Sequence, residues 1–232
     1  MEAIILAGGL GTRLQSVVQD VPKCMAPVAG EPFLFYLLKD LETAGFQHVI
    51  LALGYKHEVV TQWISTCKTA LKISFVVENE PLGTGGAVKL SLAQTSREAV
   101  FTLNGDTFLA LNYPAMMAFH NEKKAAATLA LKEMHHFERY GMVETNEDAR
   151  IVRFREKQYC DRGFINGGVY VINRNVLDGF PEKFSLEKDF FEPQVSAGQL
   201  AAFPTSGYFI DIGVPEDYHR AQIDFYDGKT LV

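Results

Sequence analysis

Four short apolar runs, Ala3–Leu6, His48–Leu53, Ile73–Val77 and Ala99–Leu103, alternate with segments of helical period, and that alternation limits what the chain can become. Each run carries β-branched or aromatic residues and stops at glycine, asparagine or a polar cluster, as strands do. Between them, Phe33–Ala44, Glu58–Ser65 and Gly85–Ala93 read as helices, the first with apolar residues three and four apart. Gly45 stands where a helix end takes glycine. Such alternation builds an α/β fold with a parallel sheet and helices on both faces. Ligands of these sheets sit beyond the carboxyl ends of the strands.

The second half is mixed. A helix at 115–122 precedes strand patterns at Ala126–Leu131, Gly141–Val143, Ile151–Phe154 and Gly168–Ile172, expected to add antiparallel strands to the sheet. A helix over Leu186–Gln194, a strand over Leu200–Phe203 and a helix over Pro215–Tyr226 complete the pattern. With 232 residues, 47% of them hydrophobic, the chain suffices for one domain with a substantial core.

A net charge of −6 argues against a nucleic-acid surface, though a local basic pocket for phosphates is compatible with it. Cys24, Cys67 and Cys160 lie far apart without metal-ligand spacing, which points to free thiols in a reducing compartment. No apolar run approaches the ~20 residues of a spanning helix, and no basic leader precedes the first strand. The expectation is a cytoplasmic protein without a membrane partner. Homo-oligomer formation stays open, because apolar helix faces serve core or interface alike. His57, His120, His135, His136 and the other histidines show no metal spacing and read as surface residues; Trp63 and the phenylalanines read as core.

The first strand runs into Gly8-Gly9-Leu10-Gly11-Thr12-Arg13, and Val21-Pro22-Lys23-Cys24-Met25-Ala26-Pro27 follows. Glycines remove Cβ atoms and allow positive φ, so backbone N–H groups can converge on an anion. Arg13 adds a planar fork for phosphate oxygens and Lys23 a movable point charge. The dinucleotide fingerprint fails, since Leu14 stands where its third glycine belongs. The P-loop fails too, because no Gly-Lys-Ser/Thr closes the turn. Two carboxylates, Asp106 in Asn104-Gly105-Asp106-Thr107 and Asp211 in Phe209-Ile210-Asp211-Ile212-Gly213, follow apolar strands. At strand ends near phosphates they suit a Mg²⁺ ion.

Together these segments resemble the sugar-1-phosphate nucleotidyltransferases, whose signature is G-G-x-G-T-R-L followed by P-K-P-M/L-x-P; Cys24 replaces the second proline here. The resemblance spans residues 3–220. It implies a single Rossmann-like, GT-A-like domain with a mixed, mainly parallel sheet. Residues of about 1–110 would form its nucleotide-binding half and about 111–232 its sugar-phosphate-binding half. It further implies catalytic roles for Arg13, Lys23, Asp106 and Asp211, the two aspartates sharing Mg²⁺. Leu6, Ala7, Gly8, Gly9, Gly11, Thr12, Glu78, Pro81, Gly83 and Thr84 would hold the nucleotide. Gly141, Glu156 and Lys157 (in Phe-Arg-Glu-Lys), Asn166 and Gly168 (in Asn-Gly-Gly-Val-Tyr) and Glu187 would hold the sugar phosphate.

Glu78 stands where thymidylyl and uridylyl members of the family carry glutamine. An ionised carboxylate only accepts hydrogen bonds. Guanine offers two adjacent donors, whereas a carboxylate facing uracil O4 would cost about 1–3 kcal/mol. GTP is therefore the expected triphosphate, with Glu80 as the alternative contact. The Ser16-Val17-Val18 stretch is similar to the family branch that uses D-glycero-α-D-manno-heptose 1-phosphate. Mannose 1-phosphate with GTP, and glucose 1-phosphate with a pyrimidine triphosphate, are the alternatives. A catalytically silent relative would tend to lack the loop arginine, the lysine or a metal aspartate; all four residues are present.

Overall fold

The computed structural model describes residues 1–9, 14, 18 and 21–226. Strand β1 (Glu2–Leu6) lies at the centre of a nine-stranded sheet. It pairs in parallel with β4 (His48–Leu53) on one side and β6 (Ala99–Asn104) on the other, and β5 (Lys72–Val77) adds in parallel beyond β4. All six residues of β4 are buried, which is why it reads as an unbroken apolar run rather than an alternating one. At the outer edge, β5 leaves Phe75 half exposed.

Odd and even positions divide the core. Ala3, Ile5, Val49 and Leu51 pack with α1 (Phe33–Thr43) and α6 (Pro215–Tyr226). Ile4, Ile50 and Ala52 pack with α3 (Gly83–Leu92) and the aromatic segment around Phe190. Burying each large apolar side chain of α1, such as Leu34 or Leu41, contributes roughly 1.5–3 kcal/mol. That helix stops at Ala44, and Gly45 follows with φ +81°, as its position after the apolar run predicts. Helix α2 (His57–Ile64) follows β4.

The expected antiparallel additions are present but longer. β11 (Cys160–Asn173) runs antiparallel to β6, β8 (Ala127–Phe137) and β9 (Gly141–Thr145), and β10 (Ile151–Lys157) pairs with β9. Gly-Phe-Ile-Asn-Gly-Gly within β11 looks like a turn in sequence, yet it continues as strand through a register shift between Asn166 and Tyr170. β12 (Leu200–Thr205) adds to β8 in parallel. Helix α4 (Tyr113–Lys123) is capped by Asn112, whose Oδ1 accepts from the Ala115 N–H at 3.0 Å. The expected 186–194 helix divides into a wide π-helical turn, Leu186–Phe191, and the short α5 (Glu192–Ser196). Two small ribbons go beyond the sequence expectation, which has only an apolar strand at Asp211: β2 (Pro27–Val28) with β3 (Glu31–Pro32), and β7 (Thr107–Leu109) with β13 (Phe209–Asp211).

Two histidines depart from the surface reading. His120 is buried between Thr128 Oγ1 (2.8 Å) and Asn173 Oδ1 (3.0 Å). His48, also buried, lies between Glu2 (3.1 Å) and Ser74 (2.9 Å). Both ring nitrogens of each have partners, so burial leaves no polar atom unmatched. The three cysteines are free thiols. Among the described residues, no helix is long and apolar enough to cross a membrane.

Candidate active site

A cavity of about 700 Å³ opens where β1, β4, β5 and β6 end. Its wall includes Leu6, Ala7, Gly8, Gly9, Lys23, Glu78, Pro81, Gly83, Thr84, Asp106 and Glu187, so most of the sequence candidates converge there. Gly11, Thr12 and Arg13 lie outside the described residues.

Lys23 is aimed by its neighbours. Pro22, with φ −59°, leads into a tight 3₁₀ turn over Lys23–Met25, closed by Met25 N–H to Pro22 O (2.8 Å) and Ala26 N–H to Lys23 O (3.0 Å). Cys24 and Met25 point into the core, which leaves Lys23 facing the cavity. The Cys24 thiol substitutes for the family proline by filling buried volume. Burial, assisted by the nearby Asp106 charge, pushes it up to about 12, so it stays protonated and unreactive at neutral pH.

Lys23 Nζ meets Asp106 Oδ2 at 2.5 Å, a charge-assisted contact. Asp106 leaves the end of β6 just after Gly105, whose N–H donates to Leu6 O at 2.9 Å, and the Thr107 hydroxyl donates to its other oxygen at 3.1 Å. The β7–β13 ribbon places Asp211 opposite Thr107, and the Ile212 N–H donates to the Asp106 carbonyl at 3.0 Å. Two carboxylates distant in sequence thereby meet. Burial pushes the Asp211 carboxyl above the usual carboxylate range, and the Asp106 charge adds to the rise; Lys23 and the Gly213 N–H (2.7 Å) oppose it.

Among the described residues no group of three or more His, Cys, Asp and Glu forms a ready metal cage. The Asp106–Asp211 pair nevertheless fits a hard divalent cation, which takes carboxylate oxygens and fills its remaining positions with phosphate and water. The mutual repulsion already felt by Asp211 is what such an ion would relieve.

On the opposite wall, Glu78 Oε2 accepts from the Leu82 N–H at 2.8 Å, which fixes the carboxylate toward Gly8. A Cβ on Gly8 would lie 3.0 Å from Glu78 Oε1. Neither Gly8 nor Gly9 takes a positive φ; at Gly8 the missing side chain instead makes room for Glu78 and for Gly54 at the end of β4. Glu80 is exposed and does not line the cavity. Thr84 and Ser185 hydroxyls both donate to Glu187 Oε2, at 2.7 and 3.0 Å.

The remaining candidates do not line this cavity, although Gly168 lies against Asn104, which does. Asn166 donates to the Tyr170 hydroxyl (3.0 Å) and accepts from the Gly168 N–H (2.9 Å), and Gly168, with φ +73°, makes the bend in β11. Gly141 starts β9, and Glu156 and Lys157 are exposed at the end of β10. The sequence reading passed over Tyr55, Asn79 and Asn104, which complete the wall. Tyr55 and Asn79 follow strands and Asn104 ends one, and that position is the available signal.

Residues 2–227 match the family model for nucleotidyl transferases, and the chain belongs to that family. The family generally uses a divalent metal. Two relatives, each a D-glycero-alpha-D-manno-heptose 1-phosphate guanylyltransferase, cover nearly all of it. One, from Aneurinibacillus thermoaerophilus, is 46% identical across 96% of this chain and 97% of its own length. The other, from Campylobacter jejuni, is 42% identical across 97% of this chain and 100% of its own. The crystal structure of HddC from Yersinia pseudotuberculosis complexed with GMP-PN superposes with a TM-score of 0.88 at 38% identity, covering 97% of this chain and 99% of that one.

Proposed function

We propose that this protein is a guanylyltransferase that joins GTP to D-glycero-α-D-manno-heptose 1-phosphate, forming GDP-heptose and pyrophosphate. The observation that carries the reading is the meeting of Lys23, Asp106 and Asp211 at the strand ends, beside a cavity whose far wall holds Glu78. The length-spanning likeness to two heptose 1-phosphate guanylyltransferases selects the sugar, and the related structure holding GMP-PN supports the base.

An oxygen of the sugar phosphate attacks the α-phosphorus of GTP in line, and the bond to the bridging oxygen breaks as pyrophosphate leaves with the electron pair. No covalent nucleophile is needed, and positioning with charge neutralisation supplies the catalysis. Lys23 stabilises charge at the transferring phosphate. Leu6, Ala7 and the Gly8, Gly9, Gly11 and Thr12 backbone border the triphosphate, and Arg13 draws off charge on the departing pyrophosphate. Glu78 accepts from the guanine edge, beside Pro81, Gly83 and Thr84. Mg²⁺ held by Asp106 and Asp211 would supply further neutralisation of phosphate charge.

Gly141, Glu156, Lys157, Asn166, Gly168 and Glu187 serve the acceptor, so residues 1–110 carry the nucleotide half and 111–232 the sugar-phosphate half of one domain. Three free thiols fit a reducing cytoplasm. Pyrophosphate release, measured for four triphosphates against heptose, mannose and glucose 1-phosphates, tests the reading. The expected maximum is GTP with the heptose phosphate; a maximum at another pair, or no release, would overturn it.

A further inference from the structure

Asp217 is a buried carboxylate in the first turn of α6. First-turn acids usually face solvent, where the helix dipole suffices as a partner. This one is closed off from water and ion-paired with Arg139, which arrives from the connection between β8 and β9, as well as with Arg220 at 3.4 Å on its own helix. The same Arg139 guanidinium donates to the Tyr140 hydroxyl at 3.2 Å. The Tyr140 ring packs edge-on against Phe209, two residues before Asp211 on β13, with centroids 5.9 Å apart.

Burial and the Asp211 charge hold the Tyr140 phenol up to about 12, so the hydroxyl that accepts from Arg139 is neutral at neutral pH. Tyr140 is followed at once by Gly141, the start of β9. The β9–β10 hairpin, which carries Gly141, Glu156 and Lys157, also packs against β11, β12 and α5. Arg139 thus ties its near end to α6, and Tyr140 ties it to the strand that delivers Asp211.

We propose that the Arg139–Asp217 ion pair and the Tyr140 side chain are positioning residues for the acceptor: they clasp the β9–β10 hairpin to the Asp211 strand and so set where the sugar phosphate lies relative to the reacting centre. The inference rests on the guanylyltransferase reading above. A purely structural ion pair would change stability and the amount of active enzyme, and leave both KM values where they were. A clasp changes the acceptor side alone.

The test uses the full-length protein carrying Asp217→Asn, which is nearly isosteric, and Tyr140→Phe, which keeps the ring on Phe209 and removes only the hydroxyl. KM is measured separately for GTP and for heptose 1-phosphate, alongside hydrogen–deuterium exchange. The expected result is a rise of about tenfold in the heptose phosphate KM for Asp217→Asn. A smaller rise is expected for Tyr140→Phe, with GTP KM within about twofold of wild type in both. Amides of 141–157 should exchange faster and those of β1 and β4 at unchanged rates. If Asp217→Asn fails to fold, Tyr140→Phe alone decides. Wild-type turnover with unchanged KM values in the variants, or with both KM values rising together, overturns the clasp alone. No turnover by wild type overturns the guanylyltransferase reading, and the clasp falls with it.

Discussion

Gly213→Ala is the sharpest probe of the Lys23–Asp211 arrangement. The glycine sits between Asp211 and the start of α6, and an added Cβ would lie 2.7 Å from both Asp211 Oδ1 and Lys23 Nζ. Ordinary contact begins at 3.4 Å, so one or both atoms must retreat by about 0.7 Å. The backbone at 213 is not left-handed, so alanine can adopt it and the strain falls on the two side chains. Neither has a free direction in which to yield. Lys23 is held by Asp106 at 2.5 Å, and Asp211 by the N–H of residue 213 itself at 2.7 Å.

Overpacking of this kind costs roughly 1–3 kcal/mol of stability, and a domain of this size loses about 2–4 °C in Tm per kcal/mol. The effect on turnover should be larger, because a misplacement near 1 Å costs on the order of a hundredfold. We expect kcat/KM for pyrophosphate release to fall by about thirtyfold to a hundredfold, or roughly 2–3 kcal/mol of transition-state stabilisation. The Tm should stay within about 10 °C of wild type. Gly179→Ala is the control, since its Cβ would meet nothing within 4 Å. A Gly213→Ala enzyme within threefold of wild type would refute the inference that these two side chains must hold their places.

Two other changes read out different parts of the molecule. Glu78→Gln should relax the preference for GTP toward pyrimidine triphosphates, measured as the ratio of kcat/KM values; unchanged GTP selectivity would contradict a carboxylate at the guanine edge. Burial pushes the Asp40 carboxyl from 3.8 up to about 6, against the lowering effect of the Tyr113 hydroxyl that donates to it at 2.7 Å. A folded-state value above the unfolded one means that the folded protein binds the proton more tightly. That contribution is therefore complete below about pH 4 and is lost as pH rises through 6. Its size is at most roughly 3 kcal/mol. Asp40→Asn keeps an acceptor for Tyr113 and should flatten this part of the stability profile in urea titrations at pH 4 and 7.5. A variant whose profile falls as steeply as wild type would rule Asp40 out as the cause.

The fold was legible wherever one physical signal dominated. Buried parallel strands such as His48–Leu53 and the helix that opens at Pro215 appear at their expected bounds, because apolar period and turn chemistry agree there. The sequence pattern covers less than half of β11, since Gly163 and Gly167 interrupt it until neighbouring strands hold the segment in the sheet. The β7–β13 ribbon was invisible because its three-residue strands gain their stability from each other across a long separation. Asp106 and Lys23 were found because their residue types stand beside glycine and proline punctuation. Arg139 and Asp217 give no such signal, because an ion pair across a long stretch of sequence leaves no local pattern.

The Leu82-Gly83-Thr84-Gly85-Gly86 run carries a consequence for how the molecule is assembled. The Phe184 carbonyl accepts from the Gly85 N–H at 3.0 Å, the Phe184 N–H donates to Leu82 O at 3.0 Å, and any side chain on Gly85 or Gly86 would collide with Phe184 or Glu182. The donors that open α3 are thus occupied by a segment made a hundred residues later. During synthesis this wall of the cavity cannot close until that segment has emerged and docked, so a fragment ending near residue 110 should leave α3 uncapped and the cavity unformed.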